Sequence, residues 1–267
     1  MKKVFYLLLM ISGIINAQKL RITYSAKCKT DLNLEKINPQ IMVLDFVDNK
    51  SIFKEMIDRD GDSLKINNGS PMNSTGFENQ YYVKKNLAKE RTEKIITNSE
   101  NNFLLPIDEK LNWKILSDKK KIAGYNAQKA TVNYGGREWT AWFTSEIPIN
   151  DGPYVFCGLP GLIISIEDNK TEYVFNLIET KKNCGELYDA RKQLIDIDWN
   201  QFEQLAINYY DNPNREMEQK IKSNKVFITD AKGNRIDLNI KQMNEERQDY
   251  IRKNNNPIEL NHKINYQ

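Results

Sequence analysis

Tyr134-Gly135-Gly136-Arg137-Glu138-Trp139-Thr140-Ala141-Trp142-Phe143-Thr144 is the stretch that decides the fold. A Gly-Gly pair can take the two positive φ values of a tight hairpin turn, and the flanking β-branched and aromatic residues have the two-residue period of strands. Residues 122–134 and 137–144 therefore read as a hairpin. On its second strand Trp139, Ala141 and Phe143 share one face, while Thr140, Trp142 and Thr144 share the other. One tryptophan must face the core and the other must face away from it. Upstream, residues 113–116 add a strand before an expected turn at Ser117-Asp118-Lys119-Lys120. Downstream, Pro148, Gly152 and Pro153 end the ladder.

The chain then runs Tyr154-Val155-Phe156-Cys157-Gly158-Leu159-Pro160-Gly161-Leu162-Ile163-Ile164-Ser165-Ile166-Glu167-Asp168. Pro160 presets φ for the second position of a type II turn, and Gly161 supplies the positive φ of the third. Leu159 to Leu162 is expected as that turn, opening a strand in which Leu162, Ile164 and Ile166 point one way. Residues 173–178 are its expected partner, through a turn centred on Asn169-Lys170. In that register Cys157 faces Lys182 and Cys184 faces Val155. Cys157 and Cys184 become diagonal neighbours, the expected disulfide of three cysteines, leaving Cys28 over.

Outside this region the pattern is coarser. Residues 18–26 alternate as a strand, 27–39 are polar, and 41–47 with Ile52 and Phe53 suggest a hairpin around Asp48-Asn49. Residues 58–79, rich in Asp, Asn, Gly and Ser, read as an exposed loop. Asp58, Asp60 and Asp62 alternate as in a calcium loop, yet Ser63 and Gly69 stand where glycine and glutamate are needed. Short strands are expected at 81–83, 94–98 and 102–106. Asp198 with Gln201 makes a capping box, and Trp199, Phe202, Leu205, Ala206 and Tyr209 recur at helical spacing. The helical segment covers about 198–223, a small hairpin surrounds 230–234, and 245–267 is a polar tail. The fold class is mainly β with C-terminal helices (α+β): a curved antiparallel meander sheet or half-barrel packed by helices, in one domain over 18–267.

Of 267 residues 40% are hydrophobic, and the net charge of +3 includes Lys2 and Lys3. Near-neutrality gives no case for nucleic acid. Lys2 and Lys3, an apolar run to Ile15 and the small Ala17 before Gln18 read as a signal peptide over 1–17, cleaved between Ala17 and Gln18. The run is too short to span a bilayer, and no later segment does. The first cysteine, Cys28, comes too late for a lipid anchor. The expected location is therefore periplasmic or secreted. A single histidine, His262, leaves no serine triad of the usual kind and no histidine-rich zinc site, and no Cys-x-x-Cys occurs. No metal and no cofactor are expected.

Gly158-Leu159-Pro160-Gly161-Leu162-Ile163, with Gly124-Tyr125-Asn126-Ala127-Gln128-Lys129-Ala130, Gly136-Arg137-Glu138-Trp139-Thr140-Ala141-Trp142-Phe143-Thr144, Gly152-Pro153-Tyr154 and Asn256-Pro257-Ile258-Glu259-Leu260, resembles the GLPGLI family of secreted bacterial proteins. Ala127 departs from it, standing where many members carry a cysteine. The resemblance implies an exported protein and no established activity. In style the meander is also similar to periplasmic lipoprotein-carrier half-barrels. The leading expectation is a non-enzymatic envelope protein that binds a hydrophobic ligand or an outer-membrane partner on a face holding Tyr134, Trp142 and Tyr154. The alternatives are a hydrolase using carboxylates among Glu138, Glu146, Asp151, Glu167 and Asp168, and a structural accessory protein without a ligand.

Overall fold

The computed structural model describes residues 19–68, 76–98, 101–182, 187–223, 227–229, 232–233 and 235–267. The Ala17–Gln18 cleavage site and Cys184, hence the Cys157–Cys184 pairing, lie outside them. Twelve strands form one sheet: β1 (Lys19–Cys28), β2 (Gln40–Val47), β3 (Lys50–Glu55), β4 (Val83–Asn86), β5 (Arg91–Thr97), β6 (Asn102–Pro106), β7 (Lys114–Ile122), β8 (Tyr125–Tyr134), β9 (Arg137–Thr144), β10 (Leu162–Asp168), β11 (Tyr173–Lys182) and β12 (Leu194–Asp196). Their order is β12-β6-β5-β4-β3-β2-β1-β11-β10-β9-β8-β7. Two antiparallel meanders thus meet at the β1–β11 pair, and β12 adds to β6 in parallel. Four helices accompany the sheet, α1 (Met56–Asn68), α2 (Trp199–Asp211), α3 (Arg215–Lys222) and α4 (Ile240–Lys253), and β13 (Ile228–Thr229) pairs with β14 (Arg235–Ile236).

Chain length dictates the curvature. β6 and β7 lie ten strand spacings apart in the sheet, about 48 Å if it were flat. Only residues 107–113 join them, a link that reaches about 29 Å fully extended. The sheet must curl until its two ends approach, and it does so without closing. The seam between those ends is where the site described below lies.

Inside the curl, Tyr24, Phe53, Trp139, Phe156, Tyr173 and Phe175 are fully buried with the β1, β2 and β8–β11 aliphatics. The segment 147–161 and the C-terminal tail fill this inner face. At the β5–β6 end α2 covers it instead, packing Phe202 and Ala206 on Phe77, Ile96 and Phe103. Its N-terminus carries the expected capping box between Asp198 and Gln201. On the outer face α1 lies against β2 and β3, where Arg59 meets Asp45 at 2.9 Å, and Ile52, Tyr82, Ile95 and Leu104 lie under Leu187 and Leu194.

Several expectations need correction. Residues 56–68 form α1 rather than a loop, because Asp58 and Asp62 sit one turn apart facing cations. Asp62 pairs with the buried Lys54 at 2.6 Å and with Arg191 at 3.3 Å, and Arg191 reaches Asp58 at 2.9 Å. Those contacts outweigh the helix-breaking composition. Residues 117–120 are not a turn: β7 runs through them with an irregular register between Ile115 and Lys119, and the chain reverses at Ala123-Gly124. The β10–β11 hairpin pairs Ile166 with Phe175, two residues out of the expected register, because its loop holds four residues, 169–172. Pro160 makes a tighter turn than type II. Gly161 N donates to Leu159 O at 2.8 Å, and Leu162 N donates across to Ile147 O at 3.1 Å.

Candidate functional site

The tail after α4 is polar in sequence, yet it builds a buried polar cluster. Arg137, at the start of β9 and 4% exposed, uses its whole guanidinium fork. Nε donates to Ile258 O at 3.1 Å, Nη1 to Asp168 at 2.7 Å and Glu172 at 2.6 Å, and Nη2 to Asn256 Oδ1 and Pro257 O at 2.8 Å each. Such a planar fork suits a segment that offers carbonyls and carboxylates at fixed spacing. The Tyr173 hydroxyl donates to Asn256 O. Asn254 accepts from Thr30 Oγ1 at 2.8 Å, tying the end of α4 beside β1. The Arg137 clasp therefore lays residues 256–262 across the inner face.

Glu259 is the next member, 3% exposed. Its Oε1 accepts from Tyr134 OH at 2.8 Å and Tyr154 OH at 2.7 Å, and its Oε2 from Lys94 Nζ at 3.4 Å. Tyr154 reaches it from a left-handed backbone, φ 53°, a conformation that costs a non-glycine residue energy and persists only where surrounding contacts hold it. Burial would raise the Glu259 pKa. The Lys94 charge and the two hydroxyls outweigh burial and hold the carboxyl below its ordinary value, so it is ionised at neutral pH.

Above Glu259 a cleft of about 380 Å³ opens at the seam of the sheet. One wall is Ile107, Asp108 and Glu109 from the 107–113 link; the other is Trp199 at the start of α2 and His262 from the tail. The indole and imidazole stack at 3.8 Å, 3° from parallel. Glu109 is fixed by Gly135 N at 3.0 Å and Asn261 Nδ2 at 3.4 Å. Burial pushes the His262 pKa down, and Glu259, Glu109 and Glu203 only partly offset this, so the ring is neutral at neutral pH. The cleft combines aromatic and aliphatic walls with carboxylates at floor and rim. That set accepts hydrogen bonds and attracts positive charge.

Tyr134 and Tyr154 thus converge on one carboxylate. Trp142 does not join them: it is half-buried on the outer face, with Lys120 Nζ 4.0 Å above its ring. Gly158-Leu159-Pro160-Gly161-Leu162-Ile163 is a bend between the inner-face segment and β10. Leu159, Leu162 and Ile163 are buried, and Ile163 O accepts from Tyr24 OH at 2.8 Å. The five carboxylates do not converge. Glu138 and Glu146 are exposed, Asp151 is buried against Lys85, Asp168 lies in the Arg137 clasp and Glu167 sits on the outer face. Cys28 and Cys157 are free thiols, the latter beside Thr92 and Lys85. Sequence reasoning missed Glu259, Glu109, Trp199 and His262 as a set. The available signal was Asn256-Pro257-Ile258-Glu259-Leu260, apolar residues and a carboxylate in an otherwise polar tail.

Residues 136–165 match the model of a family described as a protein of unknown function (Porph_ging). The match agrees at a coarse level with a GLPGLI-type family, since it spans the Arg137 strand and the Pro160 bend. No curated protein matches the chain. Two solved structures of PNGF-II, in space groups P21 and C2, are similar in fold at TM-score 0.53, with 17% and 20% identity. Each covers 71% of this chain and 33% of the PNGF-II chain, so the chain spans about a third of that protein's length.

Proposed function

We propose that this chain is an exported, non-enzymatic binding protein of the cell envelope, whose seam cleft takes a small polar ligand that donates hydrogen bonds. One observation carries the reading. Glu259, one of the residues quoted for the family resemblance, lies with Tyr134 on the lining of an open cleft, while Tyr154, itself fully buried, donates to the same carboxylate from the core. A ligand cavity of the carrier kind has no room on the inner face, where Phe53, Tyr154 and Phe156 are fully buried. That argues for a polar ligand over an apolar one.

Catalysis is disfavoured by the same geometry. Glu259 has a lowered pKa and three donors already on it, which makes it a poor proton acceptor near neutrality. His262 stacks on Trp199, and among the described residues no carboxylate is hydrogen-bonded to it to orient it as a base. The likeness to one third of PNGF-II is compatible with a binding or accessory module, and it supports architecture alone. An outer-membrane partner is the second reading, favoured by the uncovered outer face around Trp142 and the exposed Ile178.

Native mass spectrometry of protein purified from its own envelope tests the reading, with Ile107→Trp as the cleft-filling control. A small adduct on the wild type that is missing from the folded variant is the expected result. Adduct-free wild type, or an adduct retained equally by Ile107→Trp, overturns it.

A further inference from the structure

Lys85 of β4 and Asp151 of the inner-face segment 147–161 form an ion pair in which both side chains are wholly buried. Lys85 Nζ also donates to Gly152 O at 2.6 Å, and Asp151 Oδ1 accepts from Gly152 N at 2.7 Å as well as from the lysine. Asp151 Oδ2 has no hydrogen-bond partner among the described residues. Tyr24 is close enough for the Asp151 charge to act on it, yet its hydroxyl donates to Ile163 O instead. A carboxylate sealed from water with one oxygen bare is destabilising, because attraction to a single cation hardly offsets the desolvation of both charges.

A second buried pair differs in the respect that matters. Lys54 meets Asp62 Oδ2 at 2.6 Å, but there Oδ2 also accepts from Tyr82 OH at 3.0 Å and Oδ1 from Arg191 Nε at 3.3 Å. Both oxygens of Asp62 are used, and two cations hold it as an anion, which an amine does not attack.

We propose that Lys85 and Asp151 condense after folding into an intramolecular amide. Proton transfer within the pair gives a neutral amine and a carboxylic acid. The Nζ lone pair then forms a bond to Asp151 Cγ, the Cγ–Oδ2 bond breaks, and Oδ2 leaves as water with two of the three ammonium protons. The third proton stays on nitrogen, so atoms and charge balance without an oxidant, a reductant or a cofactor. The contacts to Gly152 survive: the amide N–H keeps Gly152 O, and the retained Oδ1 keeps Gly152 N. The oxygen lost is the bare one, and two buried charges disappear with it. The fold supplies both requirements of such a condensation, a nucleophile held against its carbonyl carbon and the exclusion of water that would reverse it. Cys157, half-buried beside the pair, marks the side on which the released water can leave. The product ties the first meander, through β4, to the segment that follows β9 in the second.

Peptide mapping of the denatured full chain by tandem mass spectrometry tests this. The expected result is a branched species joining the Lys85 and Asp151 peptides, lighter by one water than their sum and stable to hydroxylamine. The Lys54 and Asp62 peptides should stay linear, and Lys85→Arg should abolish the branch. Linear Lys85 and Asp151 peptides of full mass in the wild type overturn the proposal, whether or not Lys85→Arg folds. A linear Asp151 peptide that has lost one water and is cleaved by hydroxylamine also overturns it. That product is the Asp151-Gly152 succinimide, in which Gly152 N rather than Lys85 is the nucleophile.

Discussion

Replacing Glu259 by leucine tests whether the tail is held by the chemistry described or merely by shape. The substitution leaves the Tyr134 and Tyr154 hydroxyls without their acceptor at 2.8 and 2.7 Å, and Lys94 without the carboxylate at 3.4 Å. Each orphaned buried hydroxyl costs about 1–3 kcal/mol. Lys94 adds the penalty of a charge left unpaired in a buried pair, about 3–5 kcal/mol before relaxation. Allowing Lys94 to swing toward solvent, the loss is still about 3 kcal/mol or more, a fall in Tm of about 6–12 °C at the 2–4 °C per kcal/mol usual for chains of this size. Thermal unfolding followed by near-UV circular dichroism reads it. The sharper test is the triple variant Tyr134→Phe, Tyr154→Phe, Glu259→Leu. It should be more stable than Glu259→Leu alone, because it removes the donors that the single change strands. The pH dependence has a definite sign. Glu259 titrates below its ordinary range when folded, so its contribution is present above that range and fades as pH falls through the lowered value. Wild type and Glu259→Leu should therefore converge in acid. A Tm for Glu259→Leu within 2 °C of wild type, or a triple variant no better than the single, refutes the reasoning.

Gly161→Ala should lose about 2 kcal/mol or more, since Gly161 has φ 148° and an added Cβ would fall 2.1 Å from Thr144 O; urea denaturation measures it. Arg137→Lys keeps the charge but has three donors for five acceptors, and should cost about 2–4 kcal/mol while raising hydrogen exchange at residues 256–260. Cys28, buried with its thiol pKa pushed up to about 12, should resist alkylation at pH 8 in the native protein and react only on unfolding. N-terminal sequencing of the protein from culture should begin at Gln18.

The elements legible in the sequence are those whose signal is local. Gly135-Gly136, the Asp198 capping box and the alternation on β1, β2, β8 and β9 need only near neighbours. The misreadings were set by distant partners. Nothing within residues 58–68 announces a helix, because what holds it, Lys54 and Arg191, comes from β3 and from a segment more than a hundred residues away. The four-residue loop at 169–172 is fixed by Asp168, whose Oδ1 accepts from Tyr173 N at 2.9 Å while Oδ2 meets Arg137. A two-residue hairpin reading cannot contain that. Half of the cleft was invisible for the same reason. Ile107 to Glu109 and residues 256–262 become neighbours only once the sheet has curled, and no spacing along the chain records it.

The first strand sits mid-sheet, with β2 on one side and β11 on the other. During synthesis its second edge stays unpaired until residue 182 has emerged, while β1–β6 have nothing on that side to complete them. Contacts of such long sequence separation make folding slow, and an unmet edge in the meantime can recruit the wrong strand. The last residues of the chain then fasten what the first strand began: Asn254 to Thr30, and Asn256 Nδ2 to Lys29 O at 2.7 Å. A ribosome-bound or C-terminally truncated chain would hold an almost finished sheet with no latch. Refolding should accordingly be rate-limited by joining the two ends rather than by forming either meander.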